Sequence, residues 1–150
     1  MSTNMNPKLP RGLRNNNPLN LRRTKTVWTG QKTSDLRDPA FCEFETMAHG
    51  WRAAFKLLSK YYYDLHLVSI DAIINRWAPP ADRNNTAAYV SRVAELMRHS
   101  PLADIGLRSD HPGRWMMLAS AMAIVENGTA SLDYFAMLRG YEMAFCQWSK

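Results

Sequence analysis

Donating a proton near neutral pH takes a carboxyl group that an apolar setting holds protonated. The chain offers thirteen Asp and Glu from which to supply one. Most sit where water reaches them. Asp35, Asp38, Asp64, Asp71, Asp82, Asp104 and Asp110 fall in expected loops or at expected helix ends, and Glu95 and Glu142 are surface or packing charges within helices. Glu126 differs: it closes the run Trp-Met-Met-Leu-Ala-Ser-Ala-Met-Ala-Ile-Val at 115–125, whose side chains would desolvate its carboxyl and raise its pKa. The helix dipole disfavours an acid at a helix C-terminus, so this position asks for a reason. A head group resting in water is the alternative. Glu43 and Glu45 flank Phe44, and strand alternation puts both on the face opposite that ring. Either is a candidate second carboxylate on a cleft wall, or part of a solvated strand face.

Other chemistries find little support. His49, His66, His99 and His111 are scattered without metal-ligand spacing, and Cys42 and Cys146 lie far apart with no CxxC, so no metal site and no cofactor are expected. The two cysteines read as buried free thiols, with a disulfide open in an exported setting. There is no nucleophile elbow, no GxGxxG and no GxxxxGK[ST].

The elements that must position these groups follow from turn and periodicity signals. Asn15, Asn16 and Asn17 ahead of Pro18 make a rigid polar turn, because Asn side chains bond nearby backbone and the residue before proline avoids the helical region. Short strands are predicted at 20–23, 26–29 and 41–44, broken by Thr29-Gly30 and Asp38-Pro39. Thr46 caps a helix to about 64, with Trp51, Phe55, Leu58 and Tyr62 on one buried face. Further helices are expected at 69–77, from a cap at Asn85 or Thr86 to about 98, at 112–126 and at 131–147; Pro79-Pro80 and Asn127-Gly128 act as stops. The predicted class is α+β, mainly α, with a small N-terminal β-lobe followed by about five helices. Residues 1–10 read as a flexible tail and 11–150 as one domain.

A length of 150 residues with 46% hydrophobic content is enough for a core. Five Trp, six Tyr and five Phe exclude a disordered chain. The net charge of +6 favours a polyanionic partner, whether nucleic acid, an anionic membrane face or a bacterial envelope. No stretch approaches the roughly 18 apolar residues of a membrane span. Residues 1–10 lack the apolar region of a signal peptide, so synthesis in the cytoplasm without a signal sequence is expected.

The ordered motifs Asn15-Asn16-Asn17-Pro18-Leu19-Asn20-Leu21-Arg22, Trp28-Thr29-Gly30, Phe41-Cys42-Glu43-Phe44 and Gly50-Trp51-Arg52 resemble those of lysozyme-like peptidoglycan hydrolases of phages and prophages. The flagellar-type glucosaminidases carry a related pattern. Small phage proteins, often described as virion structural proteins, share Arg76-Trp77-Ala78-Pro79-Pro80 and the following Asn84, Thr86 and Tyr89. The resemblance covers roughly 11–145. It implies a lysozyme-like domain that cleaves peptidoglycan glycan strands with a glutamate acid, as a muramidase, glucosaminidase or lytic transglycosylase. On that reading Glu126 and Glu45 are catalytic candidates. Asn16, Asn17 and Asn20 would meet N-acetyl and hydroxyl groups, Trp28 or Trp77 would offer an aromatic platform, and Glu43 would line the site.

In those families the helix bearing the acid precedes the β-lobe, whereas here no acid precedes Asp35, and Arg83 replaces the glutamate that usually precedes the Asn-x-Thr. The expectation is therefore a permuted order, with the helix ending at Glu126 packed beside the turn at 15–20. Peptidoglycan and the anionic envelope are the implied partners. The protein would wait in the host cytoplasm for release to the wall, or travel in the virion. A non-catalytic virion or wall-binding protein on the same fold is the alternative. A nucleic-acid binder rests only on the basic cluster at 11–25 with Trp28 and lacks a recognition motif.

Overall fold

A computed structural model describes residues 9–108 and 110–146. The expected tail at 1–10 and the end of the helix at 131–147 lie partly outside the described residues. Among the described residues six α-helices follow one another: α1 (Arg11–Arg14), α2 (Met47–Ser59), α3 (Ile70–Trp77), α4 (Thr86–Met97), α5 (Gly113–Asn127) and α6 (Tyr134–Phe145). Local chemistry sets their starts. Thr46, Ser69 and Asn85 each accept a bond from the backbone N–H three residues on, as expected. The last helix begins later than Ser131, because Asp133 is the residue whose side chain accepts from Ala136 N–H. At its end α2 widens into a π-turn, Lys60–Asp64, closed by Leu65 N–H to Lys60 C=O at 3.0 Å.

The core sits where α2 and α6 cross and α5 passes beneath them. Phe55 is its hub, edge-on to Tyr141 at 5.5 Å and to Trp115 at 6.3 Å, with Trp51 stacked at 6.1 Å. α4 packs on α5 and α3. Cys42 and Cys146 are free thiols. Among the described residues no helix is long and apolar enough to cross a membrane.

The predicted β-lobe does not form, and the α+β class gives way to a mainly α protein. Residues 41–44 bond to the chain on both sides, but the ladder pattern is limited to the isolated bridges Arg22 with Phe41 and Gln31 with Phe44. Side chains take the backbone groups that a strand ladder would have used. The Asn17 amide, fully buried, donates to Leu21 C=O and Cys42 C=O and accepts from Leu21 N–H, all within 3.0 Å. The Glu43 carboxylate accepts from Arg37 and Asp38 N–H and from Arg23. Asp38 accepts from Ala40 and Phe41 N–H, from the Asn15 amide and from both arms of Arg11. Strand-type residues are present, but the N–H groups of Leu21, Ala40 and Phe41 are taken by side chains, so pairing stops after one rung.

This polar lobe is seated on the helices at two glycines. A Cβ built on Gly50 of α2 would lie 1.9 Å from Asn16 C=O, and one on Gly12 would lie 2.5 Å from Asn127 Oδ1. The turn thus rests directly on the backbone of α2. Gly50→Ala is expected to lower stability by about 2–3 kcal/mol, the cost of forced overpacking, read as a shift in urea midpoint. An unchanged midpoint would mean that the turn can lift off α2.

Asp38 adds a pH dependence. Burial alone would raise its carboxyl, but Arg11, the Ala40 and Phe41 N–H groups and Asn15 hold it well below the usual carboxylate range. Its folded pKa is therefore below the unfolded value of about 3.9, and the unfolded chain binds more protons between the two. The stability it contributes is present above that unfolded value and is lost as pH falls through the folded one. Denaturant titrations of wild type and Asp38→Asn should converge with acidification and diverge above about pH 4.

Candidate functional site

Helix α5 is apolar around its whole circumference and ends in a left-handed Gly128 cap. Its last residue, Asn127, is buried and donates to Pro18 C=O at 2.8 Å and to Ala123 C=O at 2.9 Å. That amide ties the helix end to the asparagine turn, 109 residues away in sequence. The neighbouring Glu126 is thereby carried onto Asn20. The packing expected between the end of this helix and the turn at 15–20 is present.

Glu126 is held by two neutral donors. Asn20 Nδ2 donates to Oε1 at 2.9 Å, and the Tyr89 hydroxyl donates to Oε2 at 2.9 Å. Asn20 reaches it from a left-handed backbone conformation, φ 53°, which Asn tolerates better than most residues. Burial pushes the Glu126 carboxyl above its ordinary value, against the lowering effect of these two bonds. Tyr89 is itself pushed well up, by burial and by the Glu126 charge beside it, so its hydroxyl stays a donor.

Tyr89 owes its place to the run preceding it. The Thr86 hydroxyl donates to Ala78 C=O at 2.6 Å and Asn84 Nδ2 to Pro79 C=O at 3.1 Å, folding the loop at 79–85 back on itself. Asn85 then starts α4, and Tyr89 lies one turn along it. The Asn84, Thr86 and Tyr89 pattern is thus a device that sets a hydroxyl against Glu126.

Glu126 opens into a cleft of about 500 Å³ between the asparagine-turn loop, the π-turn and the end of α3. Asn20, Arg22, Trp28, Tyr61, Trp77 and Asp82 are among its walls. Trp77 is fixed by its indole N–H, which donates to Leu19 C=O at 3.2 Å, and by an edge-on contact with Tyr61 at 5.6 Å. A second hollow, of about 430 Å³, meets Glu126 from the side of Asn85, Ala88 and Arg92.

The structure therefore brings together Glu126, Asn20, Trp28 and Trp77, and leaves Glu43, Glu45, Asn16 and Asn17 elsewhere. Glu43 is buried against Arg23 and the Arg37–Asp38 backbone, away from the cleft. Glu45 is exposed outside it. The shared cleft face expected for Glu43 and Glu45 is corrected, because residues 41–44 bend between two single bridges. Asn16 donates to Phe44 C=O, and Asn17 is consumed by the lobe backbone, so neither amide lines the cleft.

Three participants were hidden in the sequence. Tyr89 reads as an apolar face residue, Asn127 as a helix stop and Asp82 as a solvated loop acid. Only the Asn-x-Thr-x-x-Tyr spacing hinted at the first. In the basic cluster, Arg11 and Arg23 are spent on Asp38 and Glu43.

The raised Glu126 carboxyl has a stability signature. Its folded pKa lies above the unfolded value of about 4.3, so the folded chain binds more protons in the interval and stability falls as pH rises through it. Glu126→Gln keeps one acceptor oxygen, puts an NH2 donor in place of the other and cannot titrate. The stability of wild type minus that of Glu126→Gln should be greatest in acid and decline above about pH 4, measured by urea unfolding at stepped pH. A flat difference would show that Glu126 is solvated.

No protein-family model matches the chain. It is similar to "Protein P5" of Pseudoalteromonas phage PM2, with 38% identity over 141 residues that cover 90% of this chain and 82% of that protein. The shared length takes in most of the fold and the cleft, and the chain belongs to the family of this phage protein.

Proposed function

We propose that the protein cleaves the β-1,4 glycan strand of peptidoglycan, with Glu126 as general acid. The observation that carries this reading is a carboxyl group raised by burial, held by two neutral donors and opening into a cleft. Glycosidic bonds break when such an acid protonates the departing oxygen as positive charge builds on the sugar ring. Asn20 and Tyr89 would orient the carboxyl and stabilise the carboxylate left after transfer. Trp77 and Tyr61 present aromatic surface beside it, and the volume suits a short length of sugar chain. Asp82, the other carboxylate on the cleft wall, is the candidate for activating water, a role the exposed Glu45 is poorly placed to fill. The motif resemblance to phage peptidoglycan hydrolases and the phage relative point the same way, toward a protein released to the wall or carried in a virion.

A second reading is a non-catalytic virion or wall-binding protein. The observation favouring it is that both Glu126 oxygens accept bonds from within the protein, as a structural buried acid's would.

Release of reducing ends and soluble muropeptides from purified peptidoglycan separates the two. Wild type is expected to release both, Glu126→Gln to lose about 100-fold or more of the rate, as for a lost general acid, Asp82→Asn to slow it and Glu45→Gln to leave it unchanged. A wild type that sediments with peptidoglycan and releases nothing would establish the binding protein instead.

A further inference from the structure

The wall of the cleft carries charge that the proposed reaction does not use. Arg22, Lys60 and Arg76 all line it, all are exposed, and none forms an ion pair with a carboxylate among the described residues. Ordinary surface cations wander. Two of these do not: the Arg22 guanidinium lies 4.7 Å from the centre of the Phe41 ring, and that of Arg76 lies 5.7 Å from the centre of Tyr61. Contact with an aromatic ring, joined for Arg76 by a bond to the Tyr61 hydroxyl, orders the planar head group while leaving further N–H groups for an anion, which cuts the entropic cost of meeting one. Arg11 shares the Phe41 ring at 4.3 Å, and it is neutralised by Asp38. The uncompensated partner on that ring is Arg22, the one facing the cleft. Of the two acids on the wall, Glu126 is engaged by Asn20 and Tyr89, which leaves Asp82 as the carboxylate facing these cations.

A neutral sugar chain offers nothing to such a wall. A chain with a carboxylate on its repeating unit offers one anion for each step along the cleft. We infer that the cleft selects carboxylate-bearing glycan strands over neutral strands of the same β-1,4 backbone, with Arg22 and Arg76 as the residues that set this specificity and Lys60 adding to the field. The inference rests on the glycan reading of the site and names the substrate class within it.

Binding to the full chain bearing Glu126→Gln, expected to turn over about 100-fold or more slowly, provides the test. The probes are peptidoglycan strands stripped of peptide by an amidase, which expose a free lactyl carboxylate on alternate sugars, and chitohexaose, their neutral counterpart. The stripped strand is expected to bind about tenfold or more tighter at low salt, with the advantage shrinking as salt rises. Adding Arg22→Gln and Arg76→Gln should abolish that advantage, with an unchanged thermal midpoint reporting an intact fold. Equal affinity for the two probes, or equal losses for both in the arginine variant, would overturn the specificity while leaving the glycan reading standing. Failure of both probes to bind would overturn the glycan reading and the specificity with it. An oligothymidylate that binds tighter than the stripped strand would overturn the inference in favour of a phosphate polymer.

Discussion

The side-chain amide of Asn127 is the interaction on which the rest of the site depends. It satisfies Pro18 C=O and Ala123 C=O together, so the end of α5 and the asparagine turn are fastened by one buried group. Its removal would orphan the buried Pro18 carbonyl, which costs more than the bond itself contributes, whereas Ala123 C=O keeps its helical partner. The fastening also accounts for the close approach at Gly12, where any side chain would meet Asn127 Oδ1 and Asn17 C=O. Glu126 reaches Asn20 because its neighbour is held in this way.

Two carboxyl groups show how the same fold shifts pKa values in opposite directions. Asp38 loses water but gains a guanidinium and two backbone N–H groups, and the charged form wins. Glu126 loses water and gains only an amide and a phenol, neither of them charged, and the neutral form gains ground. Neutral donors orient a carboxyl without fully repaying its desolvation, whereas a bidentate arginine does repay it. Asp38 is thus suited to holding the polar lobe together, and Glu126 to giving up a proton.

What could be read from the sequence divides along physical lines. The helices α2 to α5 were legible because caps and apolar spacing act within a few residues, as at Thr46, Ser69 and Asn85. The lobe at 20–44 was misread because strand propensity says nothing about which acceptor an N–H will find. Asn17, Asp38 and Glu43 take N–H groups two to six residues away, in local side-chain turns that compete with strand pairing and that strand propensity does not register. Glu126 was legible from its apolar run. Its partner Tyr89 was not, because a tyrosine on a buried helix face looks like core until the position of its hydroxyl is known. Glu45 was misplaced by the same assumption of strand alternation that produced the β-lobe.

The cleft combines a carboxyl group whose pKa is raised by burial with a cationic wall, and these two features would conflict if the charges acted at full strength. Nearby cations lower a carboxyl pKa, yet burial, Asn20 and Tyr89 are what set that of Glu126, with none of Arg22, Lys60 or Arg76 contributing resolvably. The reason is dielectric. The three cations are exposed and screened by water and salt, while both Glu126 oxygens are enclosed by protein donors. A long anionic ligand laid in the cleft would displace that water, neutralise the wall and remove what little the cations do to stabilise the carboxylate. Occupancy itself would then push Glu126 further toward the protonated state, so that the charge recruiting the ligand and the acid acting on it work in the same direction.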